Sequence, residues 1–135
     1  MSKPEGSLTS VQHEIMAAVW DCGEEGATVS EIWQAIASQR RVGRTTILNL
    51  VDRLEKRNWL VRRDNEKPYR YFAALGREET AVFLAGGFVD DFFAGSAGNL
   101  VMSLLGSKRL KPGEIDRLRE VLESTSKQSH EKKGK

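Results

Sequence analysis

Ile47, Leu50, Val51 and Leu54 follow the i, i+3, i+4, i+7 spacing that gathers side chains on one face of a helix. Thr45, Asn49, Asp52 and Lys56 fall on the opposite face, flanked by Leu48 and Arg53. The pattern predicts a helix from about Gly43 to Asn58, with a buried inner face and an outer face of hydroxyls, an amide and cations. Upstream, Leu8, Val11, Ile15, Ala18 and Val19 repeat the helical spacing over Leu8 to Asp21. Thr9 with Gln12 forms a capping box there, hydroxyl and amide each satisfying a free backbone N–H. Thr28 with Glu31 is a second capping box and opens a helix over Val29 to Ser38, with Ile32, Trp33 and Ile36 inward. Cys22 to Gly26 reads as the turn between these helices, and Ala27-Thr28 as a short strand. Gln39 to Gly43 is the turn before the central helix, where Gly43 suits a tight bend.

After Asn58 the pattern changes from helical to extended. Trp59 to Arg63 reads as a strand, Asn65 to Pro68 as a turn, and Tyr69 to Ala73 as the returning strand. Two helices joined by a turn and followed by a hairpin make a winged helix-turn-helix. Beyond Leu75, Glu78 to Phe93 carries a stripe of Ala81, Leu84, Ala85, Phe88 and Phe92, interrupted by Gly86-Gly87. The glycine pair predicts a kink or a close helix contact. A short helix over Asn99 to Leu105 shows Leu100, Val101, Leu104 and Leu105. A last helix opens at Pro112, a residue suited to the first turn, and shows Ile115, Leu118 and Leu122. Three such helices are thin for an independent core, and packing against a second copy buries their stripes most simply.

The expected fold is therefore mainly α with a small β-hairpin wing. A winged helix-turn-helix DNA-binding domain spans 8–74 and an α-helical dimerisation domain spans 75–125. Its interface residues are Phe88, Phe92, Leu100, Val101, Leu104, Leu105, Ile115, Leu118 and Leu122. Residues 126–135 read as a disordered polar tail, and Met1 to Ser7 also read as disordered.

Charge turns this fold toward a partner. Residues 38–72 hold ten Lys/Arg against four acids, while residues 1–37 hold one Lys against six acids. A localised basic segment is the electrostatic footprint of a polyanion, here double-stranded DNA. On the outer face Thr45, Thr46 and Asn49 can hydrogen-bond base edges, and Leu48 can touch a thymine methyl. Arg41, Arg44, Arg53, Lys67 and Arg70 suit phosphates, with Arg62 and Arg63 beside them on the wing. The alternative is a winged-helix protein-interaction module, since fold does not fix function, but protein partners do not require the basic segment.

Other classes find no support. The chain shows no nucleophile–base set, metal-ligand spacing or phosphate-cradling glycine loop, so it reads as a non-enzyme without cofactor or metal. Cys22 is the single cysteine and reads as a small apolar residue; His13 reads as a surface residue. With no signal peptide and no apolar run long enough to span a bilayer, a cytoplasmic location away from the membrane is expected.

The residues also resemble a known family. Leu8-Thr9-Ser10 through Ile15-Met16 to Val19-Trp20-Asp21 is similar to its first helix, and Thr28-Val29-Ser30-Glu31-Ile32 to its second. Thr45-Thr46-Ile47 with Leu50, Arg53, Leu54 and Lys56 resembles its recognition helix. Lys67-Pro68-Tyr69-Arg70-Tyr71 resembles its wing. Together they resemble the BlaI/MecI/CopY family of penicillinase-type repressors over about residues 8–125. The resemblance implies a homodimeric winged-helix repressor on a palindromic operator, and its wing adds Tyr71 to the DNA-facing set. In the antibiotic-sensing branch it also implies a sensor protease as partner. This chain departs from the pattern at three points. It lacks the Cys-x-Cys tail of the copper-sensing branch, it has Ser103-Leu104 where the penicillinase branch is cleaved between Asn and Phe, and Leu48 stands where a polar residue is usual.

Overall fold

The computed structural model describes residues 3–63 and 66–133, with side chains described through Ser126. Six α-helices and one two-stranded antiparallel hairpin occur among the described residues. In order they are α1 (Ser10–Asp21), α2 (Val29–Ala37), α3 (Arg44–Lys56), β1 (Leu60–Arg62), β2 (Tyr71–Ala73), α4 (Arg77–Phe92), α5 (Ala97–Gly106) and α6 (Pro112–Lys133). The chain divides into two compact units, residues 1–88 and 89–135.

Both capping boxes form. The Thr9 hydroxyl accepts the Gln12 N–H at 3.2 Å, and the Gln12 amide oxygen accepts the Thr9 N–H at 2.9 Å. Thr28 and Glu31 do the same for α2 at 3.1 and 3.0 Å. The core of the first unit then assembles from periodic positions: Ile15, Met16 and Val19 of α1, Ile32 and Ile36 of α2, and Ile47, Val51 and Leu54 of α3. Trp59 and Leu60 close it from below, and Phe83 of α4 meets the Trp59 ring edge-on at 5.5 Å. Leu50, expected inside, is only half-buried at the rim.

The hairpin pairs Leu60 with Ala73, Val61 with Phe72 and Arg62 with Tyr71. Ala27 adds a third, one-residue strand by exchanging two backbone hydrogen bonds with Tyr71, at 2.8 and 2.9 Å. The expected turn residue Asn65 lies outside the described residues.

Several expectations change. Residues 3–7 are ordered along the first unit rather than disordered. Pro4 is buried, and the Glu5 carbonyl accepts from Arg57 Nε at 3.0 Å, Arg57 Nη2 at 2.7 Å and Trp59 Nε1 at 2.9 Å. Their partners lie more than fifty residues downstream, beyond the reach of local composition. The polar tail is helical to Lys133, because Lys, Gln and Glu sustain a helix as readily as apolar residues do. Gly43 does not bend sharply: it is an extended N-cap at φ −80° and ψ 153°. Helix α4 runs through Gly86 and Gly87, and among the described residues nothing beyond the neighbouring backbone of the helix itself lies within 4 Å of where a Cβ would stand on either.

In the second unit Val89 is the one buried hydrophobic among the described residues. Among the described residues its helices α5 and α6 bury none, and Met102, Leu105, Val121 and Leu122 are all exposed. The packing deficit expected from sequence is therefore present in the single chain. The first unit runs on to Phe88, past the boundary expected at 74/75, because Phe83 and Leu84 pack on its core.

Gly26 is a position where only glycine fits. Its φ is +72°, and a Cβ there would stand 2.8 Å from both the Tyr71 carbonyl oxygen and the Phe72 ring. Gly26→Ala should combine left-handed strain with a backbone clash and destabilise the chain by more than about 1 kcal/mol. Urea unfolding monitored by circular dichroism checks this; a stability within error of wild type would refute the close approach.

Candidate nucleic-acid interface

Helix α3 has two unlike faces. Ile47, Val51 and Leu54 have no exposed surface. Thr45, Thr46, Leu48, Asn49, Asp52 and Arg53 all face solvent, Leu48 at 49% exposure. Every residue expected to read bases is thus on the outer side of one helix.

The turn that launches this helix is held by residues the sequence reading did not assign to the site. The Trp33 indole N–H donates to the Val42 carbonyl at 3.0 Å. The Arg40 guanidinium pairs with the Glu14 carboxylate of α1 at 2.7 Å, a charge contact without hydrogen-bond alignment. A legible signal existed for Trp33 alone, since a partly buried indole N–H usually finds an acceptor. Arg40 and Glu14 are brought together only by the packing of α1 against the turn.

Formal charge and available charge differ. Among the ten cations of residues 38–72, Arg40 faces Glu14, and Lys56 faces Asp52 at 3.0 Å. Arg57 serves the carbonyls of Glu5 and Ser7. Arg62 lies 3.9 Å from Glu55 and stacks on Tyr69, and Arg63 stacks on Phe72, each 4.1 Å from the ring centre. Arg70 lies 3.6 Å from Glu31. Arg41, Arg44, Arg53 and Lys67 have no carboxylate within 4.0 Å among the described residues. Arg41 lies in the turn before α3, Arg44 and Arg53 on α3 and Lys67 in the loop of the hairpin, and all four are exposed.

Two expected wing residues are placed differently. Tyr71 is 5% exposed and belongs to the core, because the bridge to Ala27 turns its face of the strand inward. Burial pushes its hydroxyl above the ordinary tyrosine range, and it is not on the DNA-facing surface. Arg70 is half-exposed but directed at Glu31 on α2 rather than standing free. Burial likewise raises the Cys22 thiol, which caps α1 and packs against the core as a small apolar group. Among the described residues no three His, Cys, Asp or Glu side chains gather into a metal-holding group, and no helix is long and apolar enough to cross a membrane.

A helix-turn-helix whose second helix exposes hydroxyls, an amide and cations, followed by a hairpin, defines a winged helix-turn-helix protein. The profile of the penicillinase repressor family matches residues 8–124, and the chain belongs to that family. The penicillinase repressor of Staphylococcus aureus is 24% identical over 127 residues, covering 94% of this chain and 99% of the relative. The methicillin resistance regulatory protein MecI of Mammaliicoccus sciuri is 24% identical over 115 residues, covering 85% and 92%. The transcriptional regulator BlaI of Mycobacterium tuberculosis is 27% identical over 117 residues, covering 85% and 82%.

The Glu31 carboxylate is held below its ordinary range, first by the Thr28 backbone N–H, then by its further hydrogen bonding to Thr28, and also by the charge of Arg70. A carboxylate depressed in the folded state adds stability that is complete above its unfolded value and is lost as pH falls through its folded value. Glu31→Gln should therefore lose little at acidic pH and more at neutral pH, flattening the rise of stability across the carboxylate range. Urea midpoints for both proteins from pH 3 to pH 7 measure this; parallel curves would remove Glu31 from the acid dependence.

Proposed function

We propose that this protein is a sequence-specific DNA-binding transcriptional repressor that acts as a homodimer on a palindromic operator. The observation that carries the reading is the outer face of α3. It presents Thr45, Thr46, Leu48 and Asn49 unburied on a helix whose inner face is locked in the core, and Arg41, Arg44, Arg53 and Lys67 are exposed with no carboxylate within 4.0 Å among the described residues. Membership of a family of repressors supports it, and the names of the three relatives point the same way. Asn49 can pair with adenine through N6 and N7, while Thr45 and Thr46 reach adjacent base edges. Arg41, Arg44, Arg53 and Lys67 neutralise phosphates and set the register.

The homodimer reading rests on the exposed stripes after Leu75. Phe88, Phe92, Leu105 and Leu122 are 38–71% exposed, and Leu100, Val101, Leu104, Ile115 and Leu118 are only half-buried. A two-fold dimer would cover them and present two recognition helices to inverted half-sites. A sensor protease is a less direct partner. Ser103-Leu104 lies within α5, so cleavage there would first require that helix to open.

Selection of bound duplexes from a random pool by the full chain tests the reading. One motif with two inverted half-sites is expected, and Asn49→Ala should relax one position in each half-site by about 1–3 kcal/mol. Failure to enrich any motif would reject sequence-specific binding.

Binding should also weaken steeply with salt. Four phosphate contacts per protomer give a dimer slope of about −7 on log–log axes, at roughly 0.9 per phosphate. Arg53→Gln removes two contacts from the dimer and should flatten the slope by about 2. Titration by fluorescence anisotropy at several salt concentrations reads both values. An unchanged slope would take Arg53 off the phosphate.

Light scattering should find two chains per particle, and Leu105→Lys with Leu122→Lys should yield a folded single chain. A dimer that survives both substitutions would place the interface elsewhere.

A further inference from the structure

We propose that Trp33 is a positioning residue for the recognition helix, its indole N–H holding the turn that sets where Arg41, Arg44, Thr45 and Thr46 stand. The proposal rests on the DNA-binding reading above. Helices α1 and α2 each begin with a reciprocal capping box, so the side chains of their own first turns fix where they start. Helix α3 has no such fastening. Its N-cap is Gly43, which offers no side-chain acceptor, and the Ile47 N–H makes only a 3.3 Å bond to the Gly43 carbonyl. The start of α3 is therefore set by the chain that enters it.

That chain is Gln39 to Gly43. The N–H groups of Gln39 and Arg40 both bond the Ile36 carbonyl, each at 3.0 Å, which finishes α2 and leaves the next three residues to cross to α3. Arg41 and Gly43 are exposed, and Val42 is half-buried against the core. The Val42 carbonyl, one residue before the cap, accepts the Trp33 indole N–H at 3.0 Å. Trp33 is itself half-buried on α2 and packed against the core. The bond thus ties the last fixed point before the cap to the preceding helix of the helix-turn-helix. The Glu14–Arg40 pair ties the same turn to α1.

Loss of the bond has a particular signature. Base-edge hydrogen bonds tolerate only a few tenths of an ångström and a narrow angle, whereas a long arginine can follow a phosphate through a small displacement. Loosening the turn should therefore reduce discrimination between sequences and leave non-specific binding in place.

The chain supplies a matched control. Trp20 makes the same kind of bond, from its indole N–H to the Leu75 carbonyl, also at 3.0 Å, at the entrance to α4. Trp33→Phe and Trp20→Phe each keep an aromatic ring and remove one N–H from one carbonyl. Both full-length variants are compared with wild type at one salt concentration. The probes are the duplex enriched from the random pool and a shuffled duplex of the same composition. Exchange of the Ile47 N–H is measured without DNA. Circular dichroism confirms that all three proteins are folded at the assay temperature.

For Trp33→Phe the ratio of enriched to shuffled affinity should fall about 3- to 10-fold, the scale of one lost hydrogen bond, with shuffled binding unchanged. Its Ile47 N–H should exchange faster by a similar factor. Trp20→Phe should leave both readings within about twofold. An equal loss in both variants, or an unchanged Trp33→Phe, overturns the assignment. If wild type enriches no duplex, the DNA-binding reading fails on its own. Exchange at Ile47 then still decides the turn: acceleration in Trp33→Phe alone supports the hold on α3, and equal exchange overturns it.

Discussion

A thirteen-residue helix can offer one face to a partner only when its other face cannot rotate. Ile47, Val51 and Leu54 provide that constraint, since none retains any exposed surface. Burial of each side chain is worth about 1.5–3 kcal/mol. Rolling α3 by one residue, about 100°, would bring Leu48 and Asp52 inward and turn Ile47 and Val51 out. Neither the lost burial nor a carboxylate in the core is tolerable. The exposed order of Thr45, Leu48, Asn49 and Arg53 follows from three aliphatic side chains that never meet a ligand. Helices α1 and α2 and the hairpin serve mainly to build the socket for those three.

The fold was legible where its cause is local. Periodic apolar positions mark α1 to α3, reciprocal Thr-x-x-Gln and Thr-x-x-Glu caps mark the starts of α1 and α2, and the change to extended pattern after Asn58 marks the wing. The misplacements share a different cause. Tyr71 sits inside because Ala27, more than forty residues earlier, pairs with it. Residues 3–7 are ordered because Arg57 and Trp59 bind the Glu5 carbonyl. Neither partner can be seen from a window of sequence. The helical extent of α6 escaped notice for another reason: a polar run reads as disorder only if a buried face is assumed necessary for a helix, and good helix formers need none for their backbone geometry.

Charge along the chain exaggerates the cationic character of the surface. The segment from residue 38 to 72 is strongly basic on paper, yet much of that charge holds the fold together. Arg57 fastens the N-terminal segment, Arg62 and Arg63 lie across the rings of Tyr69 and Phe72, and Arg40 meets α1. Such contacts are individually weak at the surface, but they occupy donors and fix directions. The remaining cations are few: Arg41 before α3, Arg44 and Arg53 on it, and Lys67 in the hairpin loop. A sparse cationic set suits sequence-dependent recognition better than a uniformly charged surface, which would hold any nucleic acid nearly as well.

The three tryptophans of the chain occupy three different joints. Each indole N–H meets a backbone carbonyl from another segment: Trp20 at the entrance to α4, Trp33 at the turn before α3, and Trp59 at the N-terminal segment. Trp59 is wholly enclosed, while the other two are partly open to water. Indole emission shifts with polarity and with hydrogen bonding at the ring nitrogen. The unlabelled chain therefore carries its own optical gauges, one closed to solvent and two partly open to it.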